Sequence, residues 1–153
     1  MPLIFADISA MTSATTGSAI TFKSYVMPAG QLSTNSQGLL ITSWGTSRED
    51  NASARTVKLV FGGTTLASIF TAGQTLGSWQ AQAVVFRTGA SAEQANTSFI
   101  ATLDGGSTPK SIGIAGLGLA APTASTITIE TTISQESTTA ITQNGMIVQT
   151  LVF

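Results

Sequence analysis

The chain has 153 residues and a formal net charge of −1; 42% of its residues are hydrophobic, only 8% are charged, and it contains neither histidine nor cysteine. That length suits one domain with a real core. The missing cysteines exclude disulfides, thiolate metal sites and thiol nucleophiles, and the missing histidines remove the commonest general base and metal ligand.

The first segment, residues 1–17, "MPLIFADISAMTSATTG", starts apolar with Leu3, Ile4, Phe5 and Ile8 and fades into Ser, Thr and Ala. It reads either as a frayed terminus or as an extended N-terminal arm whose apolar tip docks on a neighbouring subunit. "MPLIF" has no basic region ahead of an apolar core, so no export signal is expected. No apolar run reaches the roughly 20 residues of a membrane-spanning helix, so no membrane partner is expected.

Residues 18–153 read as one domain of short strands set apart by turn signals. "AITFKSYVM" (19–27) alternates Ile20, Phe22 and Val26 against polar neighbours, and the loop "PAGQLSTNSQG" follows. "LLITSWG" (39–45) is the next strand, and "TSREDNASA" (46–54) is a charged, exposed loop. "RTVKLVFGG" puts Val57, Leu59 and Phe61 on one face, and "TTLASIF" returns after Gly62-Gly63, a glycine pair suited to a two-residue I′ or II′ hairpin turn. "SWQAQAVVFRTG" (78–89) sets Trp79, Ala81, Ala83 and Val85 against Ser78, Gln80, Gln82, Val84 and Phe86. "NTSFIATLDGG" and "KSIGIAGLGL" are two more strand candidates, although "SAEQANTSFIA" (91–101) is also the best helical window in the chain. "STITIETTIS" points Ile127, Ile129 and Thr131 inward, and "NGMIVQTLVF" closes the chain. Eight or nine strands at this spacing predict an all-β antiparallel β-sandwich, jelly-roll-like, with an immunoglobulin-like sandwich as runner-up.

The residues leave little room for chemistry. Lys23, Arg48, Arg55, Lys58, Arg87 and Lys110 are scattered, so no nucleic-acid partner is expected. The seven acids are Asp7, Glu49, Asp50, Glu93, Asp104, Glu130 and Glu136, and they show no spacing that pairs two across a glycosidase cleft. "REDN" (48–51) lacks the alternating acids of a calcium loop. No cofactor and no metal are expected, and the chain is read as a non-enzyme. Asn51 and Asn96 match a glycosylation sequon that a Ser/Thr-rich chain produces by chance. Trp44 and Trp79 are candidates either for the core or for stacking on a sugar ring. Trp44 with Arg48, Glu49 and Asp50 forms the one candidate ligand-facing loop.

"SYVMPAGQLSTNSQGLLITSWGTS" (24–47), "NASARTVKLVFGGTTL" (51–66) and "SWQAQAVVFRTGA" (78–90) together resemble small tailed-bacteriophage virion proteins. The likeness runs from about Tyr25 to Ala90 and is looser beyond. It implies a jelly-roll-like β domain, usually a homotrimer, serving as a head decoration (cement) protein or as part of a tail fibre or receptor-binding tip. The decoration reading implies a location on the exterior of the head, with the major capsid protein or another virion protein as partner. It also implies docking through Leu3, Ile4, Phe5 and Ile8. The tail alternative implies recognition of a host surface glycan, with Trp44 at the site.

Overall fold

The computed structural model describes residues 1–12, 18–35, 37–47, 55–71, 76–103, 110–120, 125–135 and 141–152. Among these there is no helix. Eleven strands run in chain order: β1 (Leu3–Asp7), β2 (Met11–Thr12), β3 (Ile20–Met27), β4 (Gln37–Ser47), β5 (Arg55–Phe61), β6 (Thr64–Thr71), β7 (Leu76–Gly89), β8 (Ala92–Leu103), β9 (Lys110–Leu119), β10 (Ile127–Gln135) and β11 (Ile141–Val152). The larger sheet has the order β1-β11-β4-β7-β8-β9, with β2 also paired to β11; the smaller has the order β3-β10-β5-β6. Every pairing is antiparallel. Strands from the two ends of the chain pair with each other, β1 with β11 and β3 with β10, which gives the sandwich its jelly-roll-like nesting.

The alternation in the sequence maps onto the sheet faces where pairing is regular. Val57, Leu59 and Phe61 of β5, Ile127, Ile129 and Ile133 of β10, and Trp79, Ala81, Ala83 and Val85 of β7 all point into the core between the sheets. Gly62 and Gly63 have φ of 54° and 81°, so the β5–β6 hairpin closes on a type I′ turn, whose twist matches that of its strands. The window 91–101, with its helical alternative, lies in β8. There Ala95 is buried, and Gln94 and Asn96 are exposed.

Regular alternation fails in β3 for a definite reason. The β3–β10 register shifts between Thr131 and Thr132, which pair with Lys23 and Thr21, so Phe22 is an extra residue. Two consecutive residues, Phe22 and Lys23, therefore both turn inward, and the pattern reverses after them. Tyr25 and Met27 face in, and Val26, expected inside, is exposed.

Lys23 is only 4% exposed, and its ammonium meets Asp7 of β1 at 2.7 Å and donates to Ser9 Oγ at 3.1 Å. Beside this pair the Phe5 ring stacks on Tyr25 with centroids 5.0 Å apart. Both contacts join β1 of the large sheet to β3 of the small one, closing that edge of the sandwich. Of the segment read as an arm, residues 3–7 and 11–12 thus lie in the large sheet as β1 and β2, and residues 13–17 lie outside the described residues. Ile4 and Phe5 pack against the chain's own core, while Leu3 and Ile8 stay exposed at 56% and 75%.

A second tie crosses the middle of the sandwich. Gln143 of β11 donates from Nε2 to Ser43 Oγ of β4 at 2.8 Å and to Thr131 Oγ1 of β10 at 3.1 Å; the two hydroxyls share a hydrogen bond at 2.9 Å. All three side chains are fully buried. Polar groups in that position specify how the two sheets sit, because sliding one over the other would leave each group without its partner.

The edge clasp carries a pH signature. The hydrogen bond from Lys23, then those from Ser9, hold the Asp7 carboxyl down to about 2, below its ordinary 3.8. A depressed carboxylate pKa stabilises the fold above the unfolded value, and that stabilisation is lost as pH falls from about 3.8 through about 2. Asp7→Asn is expected to lower stability at neutral pH by about 2 kcal/mol, between the values of exposed and fully buried pairs. It is also expected to flatten the loss of stability over that acid window. Urea unfolding at a series of pH values checks both; an unchanged profile would rule out the clasp.

Candidate functional site

The outer face of the large sheet holds a cavity of about 530 Å³, lined by Thr42, Trp44, Gly45, Thr46, Ser78, Trp79, Gln80, Ile100 and Asn144. Its floor follows from strand register. Trp44 of β4 pairs with Gly145 of β11 on one side and Gln80 of β7 on the other, and Gln80 pairs in turn with Ile100 of β8. The result is a row across four strands. The adjoining rows bring Thr42 beside Gln82, which donates to it at 3.3 Å, and Thr46 beside Ser78.

Both tryptophans are seated on glycines, on opposite faces of the sheet. A Cβ at Gly145 would lie 2.3 Å from Trp44 Cζ2 and 2.6 Å from Cη2, so the six-membered ring of the Trp44 indole covers that glycine on the outer face. A Cβ at Gly45 would lie 2.6 Å from Trp79 Cζ2 and 2.0 Å from the Thr142 carbonyl oxygen. Trp79 is thereby fixed in the core, whereas Trp44 stays half-buried at the cavity.

Asn144 reaches the cavity through a second bulge. The β11–β4 register shifts between Gln143 and Gly145, leaving Asn144 as the extra residue. Its neighbours on both sides are buried, and Asn144 itself is half-exposed. Bulges are a recurrent way of re-aiming one side chain beside a functional site.

The lining carries hydroxyls, amides, two tryptophans of which Trp44 is the half-exposed one, and one exposed isoleucine, with no ionisable group among the described residues. Nor is there, among those residues, a group of three or more acids that would hold a metal ion. Such a surface offers many neutral donors and acceptors beside an apolar plane, which suits binding a polyhydroxylated ligand.

Of the residues singled out in the sequence, Trp44 is at the cavity. Arg48, Glu49 and Asp50 lie outside the described residues. Leu3, Ile4, Phe5 and Ile8 sit at the β1 edge of the same sheet, two strands from Trp44. Ser78 and Gln80 occupy the outward positions that alternation assigns them. Asn144 and Gly145 are the residues that sequence reading missed as functional. An Asn-Gly pair between β-type residues signals a hairpin turn, and only the register of β11 reveals it as a bulge.

No protein-family model and no curated protein matches the chain. Among solved structures, it is similar to the CBM2 module of Lactobacillus casei BL23 phage J-1 evolved Dit, at 9% identity and a TM-score of 0.38, over 84% of this chain and 68% of that one.

Gly45→Ala is expected to destabilise the protein by about 3 kcal/mol, because the new methyl meets a backbone carbonyl as well as an indole. Gly118→Ala, where nothing lies within 4 Å of the added atom, is expected to leave stability nearly unchanged. Denaturant midpoints for the two variants check the difference; equal midpoints would contradict the packing described.

Proposed function

We propose that the chain is a non-enzymatic binding domain of a tailed-bacteriophage virion, and that it recognises a host surface glycan at the Trp44 cavity. The observation that carries the ligand class is the row Gly145–Trp44–Gln80–Ile100, flanked by Thr42, Thr46, Ser78 and Asn144. An indole face suits the C–H face of a sugar ring, and the surrounding amides and hydroxyls suit its hydroxyl groups. The cavity volume falls in the range of small-ligand sites. The virion context is supported by the motif resemblance over residues 25–90. A homotrimer would present three such cavities at once, and weak single-site binding would then be multiplied by effective concentration.

A second reading, capsid decoration, is favoured by a separate observation. Leu3, Ile8 and Met11 are exposed apolar side chains in or beside β1 and β2, at the edge of the large sheet. Packing of that edge on the major capsid protein would bury them. With Ile4 and Phe5 engaged in the chain's own core, this docking surface is smaller than a free arm would provide.

The two readings separate on one set of variants. Trp44→Ala is expected to abolish retention on a glycan array while the variant still unfolds cooperatively, and Leu3→Ser/Ile8→Ser is expected to bind glycans as the parent does. Decoration makes the reverse demand: Leu3→Ser/Ile8→Ser loses co-sedimentation with heads, and Trp44→Ala retains it. A parent protein that binds no glycan on the array would overturn the primary reading.

A further inference from the structure

We infer that the Trp44 cavity takes an electrically neutral saccharide ring, and that the Asn144–Gly145 bulge of β11 sets its shape and specificity; this rests on the glycan reading above. The case begins with why residue 145 is glycine. Glycines with left-handed φ among the described residues are Gly30, Gly62, Gly63 and Gly116, and Gly145 is not one of them. The backbone at 145 is therefore open to any residue. What excludes a side chain there is the Trp44 ring, with Cζ2, Cη2 and Cε2 at 2.3, 2.6 and 2.8 Å from the position a Cβ would take. Gly145 is the seat that lets the indole lie down on the sheet and serve as a platform. With a side chain at 145, the ring would have to lift away from the strand.

Asn144 follows from the same irregularity. In unbroken alternation only one of two neighbouring residues faces outward. Here the bulge sets two neighbours, Asn144 and Gly145, on the outer face: Gly145 is covered by the indole and Asn144 stands beside it at the cavity, while Gln143 and Met146 turn inward. An amide offers two donors and a carbonyl acceptor, enough to bridge neighbouring hydroxyls of a ring lying on Trp44. Across the platform, Gln80 supplies a second amide from β7.

Charge decides the ligand class. A carboxylate or sulfate sugar brought onto this surface would lose water without gaining a cation, because no Lys or Arg lines the cavity among the described residues. A cationic amino sugar would find no carboxylate among the described lining residues. The ligand that loses nothing is an uncharged pyranose with one C–H-rich face.

The test is calorimetric titration of the full chain with matched oligosaccharides: neutral hexose and N-acetylhexosamine members against sialylated and uronate members. Neutral members are expected to bind with an affinity that salt does not change. Gly145→Ala is expected to weaken binding at least about tenfold by lifting the platform. In a Trp44→Ala background the same change is expected to add nothing. Asn144→Ala, at a half-exposed position where folding is not at stake, is expected to weaken binding and to alter the ranking among neutral sugars. If acidic members bind as tightly, or if Gly145→Ala and Asn144→Ala both bind as the parent does, the inference is overturned while the glycan reading survives. If the parent binds no member of the panel, both fall.

Discussion

One extra residue in β11 organises the molecule. Where β11 pairs with β4, the ladder skips Asn144, and three consecutive residues take three different roles. Gln143 turns inward and reaches Ser43 and Thr131, linking both sheets through buried hydrogen bonds. Asn144 turns outward to the cavity. Gly145 lies beneath Trp44. A regular strand would put residues 143 and 145 on one face and 144 on the other, but it would not pair Gly145 with Trp44 in the present register. The bulge thus couples the interior that fixes how the sheets sit to the surface where a ligand would sit. Disturbing it would strain both, since the hydrogen-bond triad and the indole seat share the same few residues of backbone.

The rest of the architecture accommodates a chain with few charges. With 8% charged residues, this domain relies on apolar packing, strand ladders and hydroxyl or amide contacts. Lys23 and Asp7 form an ion pair where the edge strands β3 and β1 meet. Lys23 is buried by the β3 bulge and would be a liability without Asp7, which β1 brings across from the other sheet. That pair, with Phe5 on Tyr25, draws the first strand onto the sandwich instead of leaving it free. The consequence for function is that the apolar N-terminal residues are divided. Ile4 and Phe5 serve the fold, and Leu3 and Ile8 remain exposed at the surface.

Much of this was legible before the structure. Period-two alternation in β5, β7 and β10 gives the core faces directly, and Gly62-Gly63 gives the hairpin turn, because each depends on local backbone geometry alone. Trp44 stands before Gly45 at what reads as a strand end, where the core is the favoured place for it, yet β4 runs on to Ser47 and leaves Trp44 half-buried on the outer face. The features that escaped depend on pairing between distant segments. Nothing near Lys23 indicates that β3 will skip a residue against β10, so Val26 reads as inward and Lys23 as outward. Asn144-Gly145 has the composition of a turn, and it becomes a bulge because β4 continues past it on the other side. The apolar N-terminus reads as a frayed terminus or an arm and not as a strand, since its partner, β11, is at the opposite end of the chain. Long-range register is the information that a single sequence carries least explicitly.

The central claim is that the Trp44 ring, seated on Gly145, presents a face to a sugar. Trp79→Phe leaves Trp44 as the sole tryptophan, and its fluorescence then reports on the platform alone. The account expects Trp44 to be quenched by acrylamide in the free protein, and to shift to the blue and become protected when a neutral oligosaccharide is added. A Trp44 already shielded from the quencher without sugar, and unchanged by any saccharide that the protein retains, would contradict it.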